Sequence, residues 1–290
     1  MKTAKFLKAE LLDLDGFLDM VEAYEEISAI RMRKVKKAVL SRREFLQGLN
    51  EAFSYIVYSY SVYKRALKKN SPKNILNTNG RNVIVLLSSN TGLYGDLILR
   101  IFSKFAEEVR SSDKNTDIVV TGALGKRLYD SSKLNKDYKY FELSDTASND
   151  SNVVALLDYI TDYTTINVFH GVFKSILVQD PEKTHLTGEL MKRIEDGGNN
   201  NTIPSTGFIF EPSIEKVAEY FEKQILSLIF EQSVFESGLS KFASRMVSLD
   251  TAASNIATKV SSMGFELKKA KHRKTNLSIQ EGVLGGALWN

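Results

Sequence analysis

The hydrophobic positions in the last third of the chain recur at intervals of three and four. After Phe235 the apolar or small residues are Leu239, Phe242, Met246, Leu249, Ala253, Ile256, Val260, Met263, Leu267 and Ala270. A stripe of this period, sustained for about five heptads, predicts a helix that winds around a partner helix, and the heptad repeat sets a left-handed supercoil. The N-terminal segment carries a similar pattern. From Met32 it runs through Val35, Val39, Leu46, Leu49, Phe53, Ile56, Tyr60 and Tyr63, at spacings of three, four or seven. Residues 5 to about 69 therefore read as one helix. Within them FSYIVYSYSVY (53–63) is β-prone and admits a strand, but the seam continues through it and favours the helix. All four prolines, Pro72, Pro181, Pro204 and Pro212, lie between the two segments, so both are free of the strongest helix breaker. Long helices are unstable alone. Two that leave and return to one central domain must run antiparallel and can bury their seams on each other. A helix of about 70 residues would extend about 105 Å.

The middle of the chain alternates between two periodicities. KKNSPKNILNTNGR (68–81) is polar and reads as a linker. NVIVLLSS (82–89) is a continuous apolar run, the signature of a strand buried on both faces. Asn90–Gly95 is a glycine-bearing turn, Asp96–Val109 an amphipathic helix, and Asp117–Val120 a second strand followed by a helix from Lys126. Val153–Asp162 reads as a helix and Ile166–Val178 as strand-rich. The β-α-β-α order predicts a small open, Rossmann-like α/β sheet. Glu195–Pro204 is a loop, and Pro212 opens the last helix at an early position where its missing N–H costs nothing. The predicted organisation is an N-terminal coiled-coil helix (1–69), an α/β head domain (80–207) and a C-terminal coiled-coil helix (211–290).

Composition adds boundaries rather than chemistry. At 290 residues, with 26% charged and 43% hydrophobic side chains, the chain is long enough for a substantial domain plus an extension. It has no cysteine, which excludes disulfides and thiolate metal sites. The three histidines, His170, His185 and His272, have no ligand spacing, and no apolar run approaches the length of a membrane span. The N-terminus MKTAKFLKAELLDLD turns acidic by Glu10 and carries no secretory signal pattern. Two glycine turns invite a phosphate-binding reading. Gly122-Ala123-Leu124-Gly125-Lys126-Arg127 is too short for a P-loop and has Arg127 where a Ser or Thr would hold Mg²⁺. Ser88–Gly95 follows a strand and precedes a helix but lacks the three-glycine spacing of dinucleotide folds. Both read as structural turns, so no catalytic, cofactor-binding or metal-ligating residue is expected.

The positive charge is local. Arg31, Arg33, Lys34, Lys36, Lys37, Arg42 and Arg43 fall within 13 residues that contain no acid, and Lys268, Lys269, Lys271, His272, Arg273 and Lys274 are nearly continuous. They are either solvated helix faces or surfaces that meet acidic protein loops. Nucleic acid is not the expected partner, because the aromatic residues lie in the seam and not among the charges. The chain ends on GVLGGALWN, an apolar, glycine-rich tip that predicts an apolar socket in a partner.

The order long helix, α/β domain, long helix resembles the γ subunit family of rotary F-type ATP synthases. Phe208–Asn255 carries the most specific part. FIFEPS is similar to the family's aromatic-x-aromatic-Glu-Pro entry to the C-terminal helix, and ESGLSKFASRMVSLDTAASN to its Ala-Arg-Met helix motif, through Glu236, Ala243, Arg245, Met246, Ala252 and Asn255. SSNTGLYG resembles the family's Ser-Ser/Thr-Asp-Arg-Gly-Leu-Cys-Gly turn, with Asn90-Thr91 in place of Asp-Arg and Tyr94 in place of the cysteine. Met32-Arg33-Lys34 and Ser41-Arg42 resemble the basic part of the N-terminal helix.

The resemblance implies a rotor that makes and breaks no covalent bond. Its partners would be an α/β hexamer that does the chemistry, an ε subunit and a membrane-embedded c-subunit ring, with membrane contact only through them. The location would be peripheral, on the cytoplasmic face of a bacterial plasma membrane. The residues expected to face β subunits are Tyr24, Arg33, Lys34, Arg273, Lys274, Gln280 and Glu281. Gly285, Gly286 and Ala287 would form a bearing tip, and Phe208, Phe210 and Glu211 a foot near the c ring. A γ-like shaft that drives a load other than a proton ring, and an unrelated coiled-coil adaptor, are the alternatives.

Overall fold

The computed structural model describes residues 4–66, 79–134, 136–145, 151–187 and 210–287. Helix α1 spans Ala4–Ala66, and the final helix, α5, spans Ile214–Ala287. Between them lie β1 (Asn82–Leu86), α2 (Leu97–Ser111), β2 (Thr116–Thr121), α3 (Ala123–Ser131), β3 (Tyr138–Phe141), α4 (Ser151–Thr161), β4 (Thr165–Phe173) and β5 (Gln179–His185). The β-prone segment 53–63 is helical. The loop expected at Glu195–Pro204 and the residue Phe208 lie outside the described residues.

The five strands form one sheet in the order β3-β2-β1-β4-β5. The first four are mutually parallel and β5 is antiparallel to β4. β1 is central, so both of its faces are covered, which explains its unbroken apolar run. Val83, Val85 and Leu87 turn to a core shared with Leu156 and Ile160 of α4 and with Ile225, Leu226, Ile229 and Phe230 of α5. Ile84 and Leu86 turn the other way, onto Leu97, Ile98, Ile101 and Phe105 of α2 and Tyr129 of α3. The N-terminal part of α5 is thus one of the helices that cover the sheet.

Several boundaries differ from those expected. Helix α3 begins at Ala123, three residues before Lys126. The Lys126 N–H, bonded to the Gly122 carbonyl at 3.0 Å, is the donor that closes its first turn. Pro212 does not open α5. It stands before the helix, joined to Glu211 by a cis peptide bond, and Ser213 caps instead. The Ser213 carbonyl accepts from the Val217 N–H at 3.1 Å, and its hydroxyl from the Lys216 N–H at 3.4 Å. The region read as strand-rich at 166–178 is β4 plus a turn. Strands β3 and β5 have no counterpart in the sequence pattern. β5 (QDPEKTH) has no apolar alternation because it is an edge strand, where charge and proline are tolerated and discourage further pairing. It is held by backbone pairing with β4 and by cations of α2. Arg100 donates to the Gln179 carbonyl at 3.0 Å and Lys104 to the Pro181 carbonyl at 2.9 Å.

The chain divides into two compact units, one of residues 30–244 and one of residues 1–29 with 245–290. The first contains the sheet, its covering helices and the adjoining halves of α1 and α5. The second is helical throughout its described part.

Candidate functional site

In the unit that contains the sheet, three contacts fix the direction of α1 against α5. The Arg31 guanidinium lies 6.0 Å from the Phe242 ring centroid, and that of Arg42 lies 4.1 Å from the Phe235 ring. Arg42 also pairs with Glu231. Positions that rise along α1 meet positions that fall along α5, so the two helices are antiparallel. Met32, Val35, Val39 and Leu46 of α1 and Leu239, Phe242 and Ala243 of α5 are buried. The basic cluster on α1 is therefore divided. Arg42 and the exposed Arg31 reach over aromatic rings of α5, while Arg33, Lys34, Lys36 and Lys37 are exposed.

In the helical unit the residues of α1 that are not exposed include Ala4, Leu7, Leu11, Leu14, Leu18, Val21, Glu25 and Ser28, again three and four apart. The seam of α1 therefore begins well before Met32, where the sequence reading first places it. Glu25 and Ser28 interrupt its apolar character, and the buried Ser28 hydroxyl returns to the Tyr24 carbonyl at 2.8 Å. On α5 the expected seam positions Met246, Leu249, Ala253, Ile256, Val260, Met263, Leu267 and Ala270 are all buried or half-buried.

Beside the α1 seam runs a second apolar stripe, of Phe17, Met20, Tyr24 and Ile27, each about half exposed (56%, 47%, 48% and 46%). Sequence reasoning singled out Tyr24 alone. The signal for the others was their own spacing of three, four and three. Arg273, Lys274, Gln280 and Glu281 are exposed on the last part of α5, in the same unit as Tyr24, and Gly285, Gly286 and Ala287 lie in its final turn. Arg33 and Lys34 belong to the other unit, as do the half-buried Phe210 and the exposed Glu211.

The structure gathers a group that sequence reasoning missed, at the carboxyl ends of β1 and β3. The Asp145 carboxylate, 12% exposed, accepts from the Asn90 N–H (3.0 Å), the Thr91 N–H (3.2 Å), the Thr91 hydroxyl (2.9 Å) and the Tyr94 hydroxyl (3.2 Å). Lys241 of α5, 7% exposed, places its ammonium 3.7 Å from the same carboxylate and donates to the Ser88 carbonyl at 2.9 Å. One turn further along α5, Ser244 donates to the Tyr94 carbonyl at 2.8 Å. Burial works to raise the Asp145 pKa, but the Lys241 charge and the hydrogen bonds from Asn90 and Thr91 outweigh it and hold the carboxyl below its ordinary range. Early signs were the Ser88–Gly95 turn and Lys241, a cation among small and apolar residues.

The two glycine turns serve this joint. Gly122 has φ +75°, and a Cβ there would stand 2.7 Å from the Ser89 carbonyl carbon. A Cβ on Gly125 would stand 2.6 Å from that of Ser88. The Leu124 N–H donates to the Ser89 carbonyl at 2.9 Å. The turn that resembled a phosphate loop is thus packed against the β1–α2 turn, and that turn holds a carboxylate of the chain itself. Among the described residues no group of His, Asp and Glu side chains is arranged to hold a metal ion, and no helix is long and apolar enough to cross a membrane.

Known proteins agree with this architecture. A family model described as ATP synthase matches residues 11–286. The ATP synthase gamma chain of Pelotomaculum thermopropionicum is 22% identical over 294 residues, covering 99% of both chains. That of Bdellovibrio bacteriovorus is 25% identical over 309 residues, covering 98% of both. Among solved structures, the rotor of the Euglena gracilis mitochondrial ATP synthase matches with a TM-score of 0.61 at 14% identity, over 94% of this chain and 98% of that one. The central stalk of the Tetrahymena thermophila mitochondrial enzyme matches with a TM-score of 0.52 at 17% identity, over 80% and 99%. With a family model covering nearly its whole length and full-length relatives of one name, the chain belongs to the ATP synthase gamma-chain family.

Proposed function

We propose that this protein is the central rotor stalk of a rotary F-type ATP synthase, coupling rotation of a proton-driven c ring to the conformational cycle of catalytic β subunits. The observation that carries the reading is the doubled apolar face of α1. One stripe is buried within the chain, and the second, Phe17-Met20-Tyr24-Ile27, is half exposed and calls for a further partner. An α/β hexamer would cover it. Arg273, Lys274, Gln280 and Glu281 on α5, and Arg33 and Lys34 on α1, are exposed and suited to polar contact with β subunits. Phe210 and Glu211, at the entry to α5, would stand near a c-subunit ring, with an ε subunit beside the sheet domain. The protein would be peripheral to a membrane, on the cytoplasmic side in a bacterium, and would touch it only through partners.

The chain supplies no chemistry in this reading. It presents a different face to each β subunit, and each orientation stabilises one conformation of each subunit. Every 1.4 kcal/mol of such bias changes nucleotide affinity about tenfold, so a few apolar contacts per subunit suffice for large shifts.

Purification of the tagged chain from native membranes, with identification of its partners, tests the reading. The expected outcome is co-purification with an α/β hexamer and a c ring. A hexamer with a different load would replace the proton-driven reading by a γ-like shaft of another ATPase. Absence of any hexamer would overturn the rotor altogether.

A further inference from the structure

We propose that the turn after β1 is an oxyanion site whose ligand is the chain's own Asp145, and that it accepts a small external oxyanion when that carboxylate is withdrawn. The inference is independent of the rotor reading. The donor set is that of an anion cradle: two successive backbone N–H groups and two hydroxyls donate to a single carboxylate, and an ammonium that donates to the Ser88 carbonyl stands 3.7 Å from it. Successive N–H groups in a turn beyond a strand favour negative charge, and here a buried lysine adds a full positive one.

Contacts other than those to Asp145 also shape the cradle. Asn90 ties it to neighbouring segments, donating from Nδ2 to the Leu143 carbonyl (2.6 Å) and accepting at Oδ1 from the Ala123 N–H (3.0 Å). The Ser89 hydroxyl closes it from within by donating to the Thr91 carbonyl at 3.0 Å. Asn90, Thr91 and Tyr94 are the positions at which this turn departs from the Asp-Arg and Cys of the γ pattern, and all three supply donors to Asp145.

Removing the carboxylate takes the facing negative charge from the buried Lys241 and an acceptor from the Asn90 and Thr91 N–H groups, a loss that an external anion would offset. The test uses the full-length chain with Asp145→Gly, followed by thermal unfolding in sodium formate, in inorganic phosphate and in sodium chloride at equal ionic strength. Formate is expected to raise the midpoint of the glycine variant by about 3–6 °C in a saturable manner, with chloride inert and the parent unmoved. Phosphate rescue of the same size would mean that the cradle admits a tetrahedral anion as well as a planar one. Asp145→Asn, which refills the space with a neutral group, should show no rescue, and Asp145→Gly combined with Lys241→Met should lose it. If Asp145→Gly folds poorly, its refolding yield in formate against chloride becomes the readout. Equal responses of parent and Asp145→Gly, equal yields in the two salts, or rescue that survives Lys241→Met would overturn the proposal.

Discussion

His170 and Gly171 show what single residues contribute where α5 and β5 meet β4. His170 is 2% exposed, its Nε2 lies 2.8 Å from the Thr184 hydroxyl, and burial pushes its imidazole down to about 4. The unfolded chain therefore binds a proton below about pH 6.5 that the folded chain refuses until about pH 4. Stability should fall with pH across that window, by on the order of 3 kcal/mol in total, and level off below it for this group. The lowered pKa of Asp145 adds a further loss on the acid side, as pH falls from the unfolded carboxylate value through the folded one. Denaturant unfolding of His170→Gln between pH 4 and 7 should show a flatter profile than the parent, and an unchanged profile would contradict the assignment. Gly171 acts by close approach, since a Cβ there would lie 2.4 Å from the Ser240 hydroxyl and 3.3 Å from its Cβ. Gly171→Ala should cost about 1–3 kcal/mol, the cost of overpacking, and Ser240→Gly in the same chain should recover most of it. Additive losses in that double-mutant cycle would show that the two residues do not constrain each other.

At the scale of elements, burial decides what each position is worth. Leu249 is 3% exposed in the α5 seam, whereas Ile256 is half-buried. An Asp at either places an unpaired charge in an apolar seam, and Leu249→Asp should cost more stability than Ile256→Asp, by roughly 1–3 kcal/mol. Arg33→Glu with Lys34→Glu, on the solvent face, should change the midpoint of unfolding little, because exposed charges contribute little. A midpoint that falls as far for the charge pair as for Leu249→Asp would misplace the seam. The same contrast explains which elements were legible in the sequence. β1 announced itself because a strand covered on both faces has no polar position, and the α5 seam because one partner helix covers one stripe. β5 was silent because its stability comes from backbone pairing and from Arg100 and Lys104 on another element. β3 was silent because only four residues pair, at the other edge. The start of α3 is hidden from the apolar pattern, which does not reveal that Gly122, with its positive φ, stands at the N-cap.

At the scale of the whole molecule, the part of the candidate site that was legible is the part made of repeats, and the part that was not is made of single long-range contacts. Lys241 and Ser88 are 153 positions apart in the chain, and no local pattern connects them. The second stripe on α1 was legible in principle, yet a seam and a partner-facing stripe obey the same period, and only exposure separates them. That difference yields a test of the molecule as an assembled part. Met20 and Ile27 are 47% and 46% exposed, while Leu7, on the seam of the same helix, is 3% exposed. Met20→Glu with Ile27→Glu should leave the unfolding midpoint of the isolated chain within a few degrees of the parent, since neither side chain is needed inside it. In reconstitution with the α/β hexamer the same variant should lose most of its binding, because two carboxylates would be desolvated in an apolar contact. Leu7→Glu should instead lower the midpoint of the isolated chain first, with weaker assembly as a consequence. If the double variant binds the hexamer as tightly as the parent, the stripe is a solvated face and the partner must grip the stalk elsewhere. If it unfolds as Leu7→Glu does, the stripe belongs to the chain's own seam, and the division of α1 into an inner and an outer apolar face fails.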